Sequence, residues 1–425
     1  MRFEVAAFEA RVLRAFIRDG RPAQNRAVGA GAVSAPIDGT AAAGDPAARG
    51  SSAMAASYDG AVSPDEPRIG AHLPLGAGMV RAANRAAEIG ATAIQVFADN
   101  PTAWQRRRAP PKELPAFRDA LAGHGIAPLS IHAAYLVNLA GPAREFAAKS
   151  RTVLEAELRA APGYGARFVN VHTGSHRDTT PGAGIRRVAQ AVARTLEAVD
   201  DGPDAAMLVL ENSAGGGWAI GTTVVELARI ADAAAKLGVP EHRLGFCLDT
   251  AHAWGAGIRL DEPRAIDRFL EDFDRRLGLR RLVLVHFNDS KSEPGSRRDR
   301  HEHLGGGRIG ERGLGHLIRH PSLRHAAFVL ETPGMDEGYD LVNVARARDL
   351  LAGRRLEPLP AEAFRLRGSR SRGVAPTLDD GVEAPVDPGA DAVDPGADAA
   401  DPAADAVDPG ADAADHGAAM ALAPA

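Results

Sequence analysis

Eight short apolar runs, each closing on or beside a polar residue, recur through the middle of this chain: Arg68–His72, Ala93–Phe97, Leu129–His132, Phe168–His172, Leu208–Glu211, Gly245–Asp249, Leu282–His286 and Phe328–Glu331. Near-continuous apolar runs of this length suit strands buried on both faces, as strands of a parallel sheet are. Most gaps between them carry a helical pattern, as in Met79–Ile89, Arg144–Ala160, Ile185–Val199 and Thr223–Leu237. Gly90, Gly125, Gly165 and Gly238 follow helical stretches where the backbone turns left-handed to leave a helix. Eight strand–helix units in about 290 residues predict a closed (β/α)8 barrel, the TIM barrel, rather than an open sheet.

The barrel is expected over 68–358, between two segments of different composition. Residues 1–67 are rich in Ala, Gly, Ser and Arg, and show no sustained apolar period after Asp19. They read as a disordered leader. Arg11, Arg14 and Arg18 interrupt the one apolar stretch, so a secretory signal is not expected. Residues 359–425 read as a disordered linker and acidic tail. Asp387, Asp394, Asp401, Asp408 and Asp415 recur every seven residues, and Pro388, Pro395, Pro402 and Pro409 keep the same period. A proline in every heptad rules out a coiled coil. From Gly373 onward there are 12 acidic residues and no Lys or Arg, which leaves 43 acidic against 50 basic residues in 1–372. The body is thus basic (+7) although the whole chain carries −5, a balance compatible with a polyanionic partner. No run of apolar residues is long enough to span a membrane. The single cysteine, Cys247, excludes an internal disulfide and a cysteine zinc cluster, and reads as a buried inert thiol.

Six of the eight runs finish on a residue able to bind a metal: His132, His172, Glu211, Asp249, His286 and Glu331. In a barrel these ends converge at the C-terminal mouth. His252, three residues past Asp249, and Asp299 and His301 in RRDRH add three more. Side chains two apart on an extended segment point the same way, so Asp299 and His301 can share an ion. Five histidines and four carboxylates without a thiolate suit Zn²⁺ and also Mn²⁺, and nine ligands suit two or three ions if one carboxylate bridges. Three such ions with four carboxylates leave residual positive charge, which fits an anionic substrate such as phosphate. His72 ends the first run and is expected to orient a ligand from behind. The remaining histidines, His303, His316 and His320 among them, read as surface or helical residues. Ser175, Ser213 and Ser290 lack the setting of a protein nucleophile, and the glycine-rich GGGRIG (305–310) and SAGGG (213–217) read as tight loops rather than nucleotide cradles.

These segments resemble the endonuclease IV family of zinc-dependent apurinic/apyrimidinic endonucleases. IGAHLPLGAGMVRAANRAAEIGATAIQVF, HAAYLVNLAGP, VNVHTGSH, LENSAGGG, CLDTAHAWGAG, HFNDSKSEPGSRRDRHEHLGGGRIG and LETP follow one another in the family's order, over about two thirds of the chain. The resemblance implies three zinc ions, with Mn²⁺ an alternative at one position. His132, His172 and Glu211 would hold the first. Glu211 would bridge to a second held also by Asp249, His286 and Glu331, and His252, Asp299 and His301 would hold the third. It implies hydrolysis of the DNA backbone 5′ to an abasic site, leaving a 3′-hydroxyl and a 5′-deoxyribose phosphate, and trimming of blocked 3′ ends. Hydroxide is the implied nucleophile, oriented by Glu211 and Glu331. Double-stranded DNA is the implied partner, and the protein is expected to be a monomer working on the nucleoid in a bacterial cytoplasm. Tyr135 and Leu136 match the family's wedge into the duplex. At NPTAW (100–104) Thr102 replaces the family's arginine; Arg106, Arg107 and Arg108 just after it, with Arg298 and Arg300, are the expected phosphate contacts. Two other readings stay open: a metal-dependent sugar isomerase or epimerase on the same barrel, and a non-catalytic DNA-binding relative.

Overall fold

The computed structural model describes residues 66–366 apart from Asp200, and each of the eight apolar runs forms a strand. β1 (Arg68–His72), β2 (Ala93–Val96), β3 (Leu129–His132), β4 (Ala166–His172), β5 (Met207–Glu211), β6 (Leu244–Asp249) and β7 (Leu282–His286) pair in chain order, all parallel. A short antiparallel ladder, β8 (Asp289–Ser290) with β9 (His301–Glu302), then interrupts the alternation. β10 (Ala327–Leu330) pairs with both β7 and β1 and closes the barrel.

The intervening segments supply the outer wall: α1 (Met79–Glu88), α2 (Leu114–Gly123), α3 (Arg144–Tyr164), α4 (Pro181–Glu197), α5 (Val224–Lys236), α6 (Thr250–Gly255), α7 (Pro263–Leu277), α8 (Gly310–Ile318) and α9 (Tyr339–Leu351). α7 shows why they form. Ile266, Leu270, Phe273 and Leu277 return every three or four residues and are its buried stripe; each such side chain contributes about 1.5–3 kcal/mol by leaving water. The four helix-ending glycines have φ between +67 and +88°, as expected. Gly70 of β1 has a different reason: a Cβ there would stand 2.1 Å from the Ala93 carbonyl oxygen of β2.

Alternation along the strands sets the floor beneath the mouth. Val209, Cys247, Leu284 and Val329 cluster with Ala93, Phe168 and Ala327. Each of those four lies two residues before Glu211, Asp249, His286 or Glu331, on the same side of its strand. An apolar plug therefore underlies the polar ends. Cys247 is part of it, and burial pushes its thiol up to about 12, so it stays protonated and inert.

Packing runs past the expected boundary at 358. Ala363 and Leu366 cluster with Tyr339. His303, expected at the surface or on a helix, is fully buried instead; it lies 2.9 Å from the Ala363 carbonyl through Nε2 and 2.9 Å from Asn343 Nδ2 through Nδ1. The leader up to 65 and the repeat tail lie outside the described residues. Among the described residues no helix is long and apolar enough to cross a membrane.

Candidate metal centre

The strand ends bring all nine expected donors to one place. His132 Nε2 and His172 Nε2 lie 3.5 and 3.4 Å from the two oxygens of Glu211. His286 Nδ1 stands 3.4 Å from Glu211, 3.9 Å from Asp249 and 3.2 Å from Glu331. Asp299 reaches His252 Nε2 and His301 Nε2, each at 3.0 Å, and His301 Nε2 is 3.4 Å from Asp249. Glu211 sits at the middle and is 1% exposed, ringed by four imidazoles. Asp299 arrives from the segment joining β8 to β9, His301 from β9 itself, and His252 from the first turn of α6, where Asp249 caps the helix by accepting the His252 backbone N–H at 2.7 Å.

Ring orientation is fixed from outside. His132, His252 and His301 direct Nδ1 at the carbonyl oxygens of Ala133, Asn212 and Glu331, at 2.7, 2.9 and 2.9 Å. A carbonyl only accepts, so Nδ1 carries a proton and Nε2 is the nitrogen left to face the site. His286 is reversed. Its Nε2 lies 3.0 Å from Gln95 Oε1, which leaves Nδ1 facing the carboxylates. Buried Glu211 Oε1, His286 Nδ1 and His301 Nε2 make no well-formed hydrogen bond, although oppositely charged groups stand 3.0–3.4 Å away. Orphaned acceptors this deep are costly, and cations between them would satisfy them.

The charge pattern agrees. Burial alone would raise Glu211 and Glu331, but His286 with His172 and His132 outweighs it at Glu211, and His286 with His72 at Glu331; both stay well below the usual carboxylate range. Asp299 is held well down by His252 and His301 against its own burial. Burial likewise opposes the rise of His252 and His301, which Asp249 and Asp299 drive well above the ordinary imidazole value. Protons here occupy places that cations would take, and metal binding would release them. The donor set and the orphaned atoms fit divalent zinc.

Four amides of the site were not found in the sequence. Asn170 donates to Glu211 Oε2 at 2.6 Å, Gln95 to Glu331 Oε1 at 2.7 Å, and Asn288 to Asp249 Oδ2 at 2.9 Å. Asn212 grips the Asp249 backbone in both directions. A signal existed for Asn170 and Asn288: each lies two residues from a strand-end histidine, on the same strand face or its continuation. His72 takes the expected supporting place, its Nδ1 3.1 Å from Glu331 Oε1. Asp289 was also missed. It is fully buried and accepts backbone N–H groups of Ser290, Gly305, Gly307, Ile309 and Gly310. The GGGRIG loop thus wraps a carboxylate, and a Cβ on Gly307 would lie 2.5 Å from Asp289 Oδ1.

Around the mouth, Tyr135 is 42% exposed with its ring edge against Phe97, and Leu136 beside it is half-buried. The Tyr135 N–H donates to the Pro101 carbonyl at 3.1 Å, which sets this loop beside exposed Thr102. Arg107, Arg108 and Arg298 are exposed, and Arg300 is half-buried. Arg106 departs from expectation. Its side chain is turned inward, 9% exposed, onto Glu157 at 3.3 Å and the carbonyls of Asn100 and Ala103. An arginine used to brace this loop is not available to a phosphate.

The Arg106–Glu157 pair carries a pH dependence. Burial pushes the Glu157 carboxyl up to about 8 despite Arg106. The folded chain then holds this proton more tightly than the unfolded chain, whose carboxyl titrates near 4.5. This group's contribution to stability is expected to fall as pH rises from about 4.5 to about 8, by on the order of 4 kcal/mol. Glu157→Gln removes that slope. Urea unfolding of both proteins across this range checks it; curves that run parallel would sink the assignment.

A closed eight-stranded barrel with a His/carboxylate cluster at its strand ends defines a metal-site TIM barrel, and a family model described as xylose isomerase-like TIM barrel matches residues 83–355. Probable endonuclease 4 of Methanoculleus marisnigri is 39% identical over 283 residues, which cover 66% of this chain and 98% of that protein. Probable endonuclease 4 of Halorhodospira halophila is 41% identical over 276 residues, 64% of this chain and 90% of that one. Among solved structures, endonuclease IV from Thermus thermophilus superposes with a TM-score of 0.58 at 38% identity, covering 68% of this chain and all of its own. The chain belongs to the endonuclease IV family.

Proposed function

We propose that this chain is a DNA-repair endonuclease that hydrolyses the phosphodiester 5′ to apurinic/apyrimidinic sites, leaving a 3′-hydroxyl and a 5′-deoxyribose phosphate, and that trims blocked 3′ ends. The observation that carries this reading is the gathering of nine donors around one buried carboxylate, Glu211, at the mouth of a barrel of this family. His132, His172 and Glu211 would hold one zinc ion. Glu211, Asp249, His286 and Glu331 would hold a second, and His252, Asp299 and His301 a third, with Mn²⁺ accepted at one position. Bound there, zinc supplies Lewis acidity: it lowers the pKa of a water toward neutrality and offsets the charge of the phosphate.

The protein's own part is placement. Glu331, kept ionised by its imidazole neighbours and aimed by Gln95 and His72, would orient the attacking water with Glu211. Glu211 would contribute to two neighbouring ion positions. An abasic nucleotide has no base to unstack, so flipping it outward costs less than flipping a normal one. Tyr135 and Leu136 would enter the space it leaves. Thr102 offers no cation, so Arg107, Arg108, Arg298 and Arg300 would meet the phosphates. Changing Arg107 and Arg108 together to Ala is expected to flatten the dependence of log affinity on log salt by about one to two units; an unchanged slope removes them from the interface. A genomic substrate would put the enzyme at the nucleoid, and one barrel suffices for the whole ligand set, which suits a monomer.

The test uses a duplex with one tetrahydrofuran abasic analogue, which β-elimination cannot cut. Wild type is expected to incise it on the 5′ side in the presence of zinc, and Glu331→Gln to lose that incision. Absence of incision by metal-loaded wild type would overturn the reading.

A further inference from the structure

Two histidines that the strand-end centre does not use meet on the outer wall of the barrel. His316 lies in the last turn of α8, and His320 follows four residues later, just beyond the helix end. That spacing returns both rings to one side, with centroids 5.9 Å apart. Both Nε2 atoms turn toward the same oxygen, Asp267 Oδ1 of α7, at 2.6 Å from His316 and 3.7 Å from His320. One donor atom from each residue lies within 4.8 Å of the other two. The frame behind them is firm: Ile266 and Leu270 of α7, and Leu314, Leu317 and Ile318 of α8, are buried.

Hydrogen bonding accounts for only half of this arrangement. The 2.6 Å contact is a short charge-assisted pair. The 3.7 Å contact lies beyond hydrogen-bond reach, yet the ring is aimed at the same atom. Two imidazoles and a carboxylate converging from two elements are a donor set for zinc. Bonds of about 2.0–2.2 Å would space the donors about 3.3 Å apart in a tetrahedron. The short contact would open and the long one close, with an ion in place of the proton now shared. His320 bound through Nε2 keeps its proton on Nδ1, so the 3.3 Å contact from the Ser322 N–H would be given up. Side chains 17–42% exposed leave a fourth position to water.

We propose that Asp267, His316 and His320 form a peripheral site for one divalent transition ion of the zinc class, separate from the strand-end centre. It would clamp α7 to α8, the helices that lead into the strands carrying His286 and Glu331. Copper and nickel would compete there, since nothing but nitrogen and oxygen selects the ion.

Equilibrium dialysis of the full chain against micromolar zinc, with the metal counted by mass spectrometry, tests it. His316→Gln/His320→Gln is expected to bind one ion fewer than wild type, with incision at an abasic site unchanged within about two-fold. Its thermal midpoint should not respond to zinc added beyond that which saturates the centre, whereas that of wild type should rise. If the double variant does not fold, Asp267→Asn, nearly isosteric at a partly exposed position, should show the same deficit of one ion. An equal zinc count in wild type and in the folded variants would overturn the proposal. The count does not depend on the nuclease reading: failure of incision in every protein would leave a missing ion in the variants still measurable.

Discussion

Glu211→Gln is expected to lower incision by roughly a thousand-fold or more and to strip the protein of about two of its metal ions. The side chain is isosteric and buried, so shape is kept while one charge is removed. In wild type the carboxylate faces four imidazoles, at 3.5, 3.4, 3.1 and 3.4 Å. An amide can keep its oxygen toward Asn170 Nδ2, but its NH₂ must then face ring nitrogens across the site. It has one acceptor where two are needed, and no charge to offset an ion. Metal analysis separates this from simple loss of a proton acceptor. On the proposed assignment, in which Glu211 would serve two ion positions and Glu331 one, Glu331→Gln should lose activity with a smaller loss of metal. A Glu211→Gln protein that retained full metal content and incised within about ten-fold of wild type would exclude the bridging role.

The second large effect lies away from the ions. Asp289→Ala is expected to destabilise the chain by about 4–8 kcal/mol, a large part of the stability of an ordinary domain. Five backbone N–H groups converge on this carboxylate, from Ser290, Gly305, Gly307, Ile309 and Gly310. Each one left buried without a partner costs about 1–3 kcal/mol, reduced where water enters. Ser290 pairs with His301 across the ladder, so loss of the loop's anchor also displaces Asp299 and His301. Asp289→Asn keeps one acceptor oxygen and should fall between. Urea unfolding and protease cleavage within 290–310 measure both effects. An Asp289→Ala protein unfolding at the wild-type urea concentration would show that the loop holds itself.

The barrel and the nine donors were legible because each depended on short-range pattern. Apolar runs marked the strands, the polar residues closing six of them were placed at the mouth by the barrel's own geometry, and His252, Asp299 and His301 were found by their spacing just beyond. What was not legible depended on which neighbours meet. Gln95 lies inside β2, one of the two strands with no ligand at its end, and in sequence it is one polar residue in AIQVF. Its role exists only because β2 lies close enough to β10 for it to reach Glu331 and His286, 236 and 191 residues away. Asp289 looks like a surface acid beside a glycine-rich stretch until five amide groups are seen to fold onto it. Arg106 looked like one of three equal cations, and only the partner beneath it, Glu157, 51 residues on, tells it from Arg107 and Arg108.

The donors of the centre are spread from His132 to Glu331, and the strand before Glu331 is the one that closes the barrel against β1. A chain emerging from the ribosome therefore passes through a long stage in which several imidazoles are made but the last carboxylate is not. The ion position that Glu211 and Glu331 are proposed to share would come into being only when the final strand docks. On the proposed reading, an unfinished or truncated copy would have no complete cutting centre, and the power to break a DNA strand would arrive together with the closed fold.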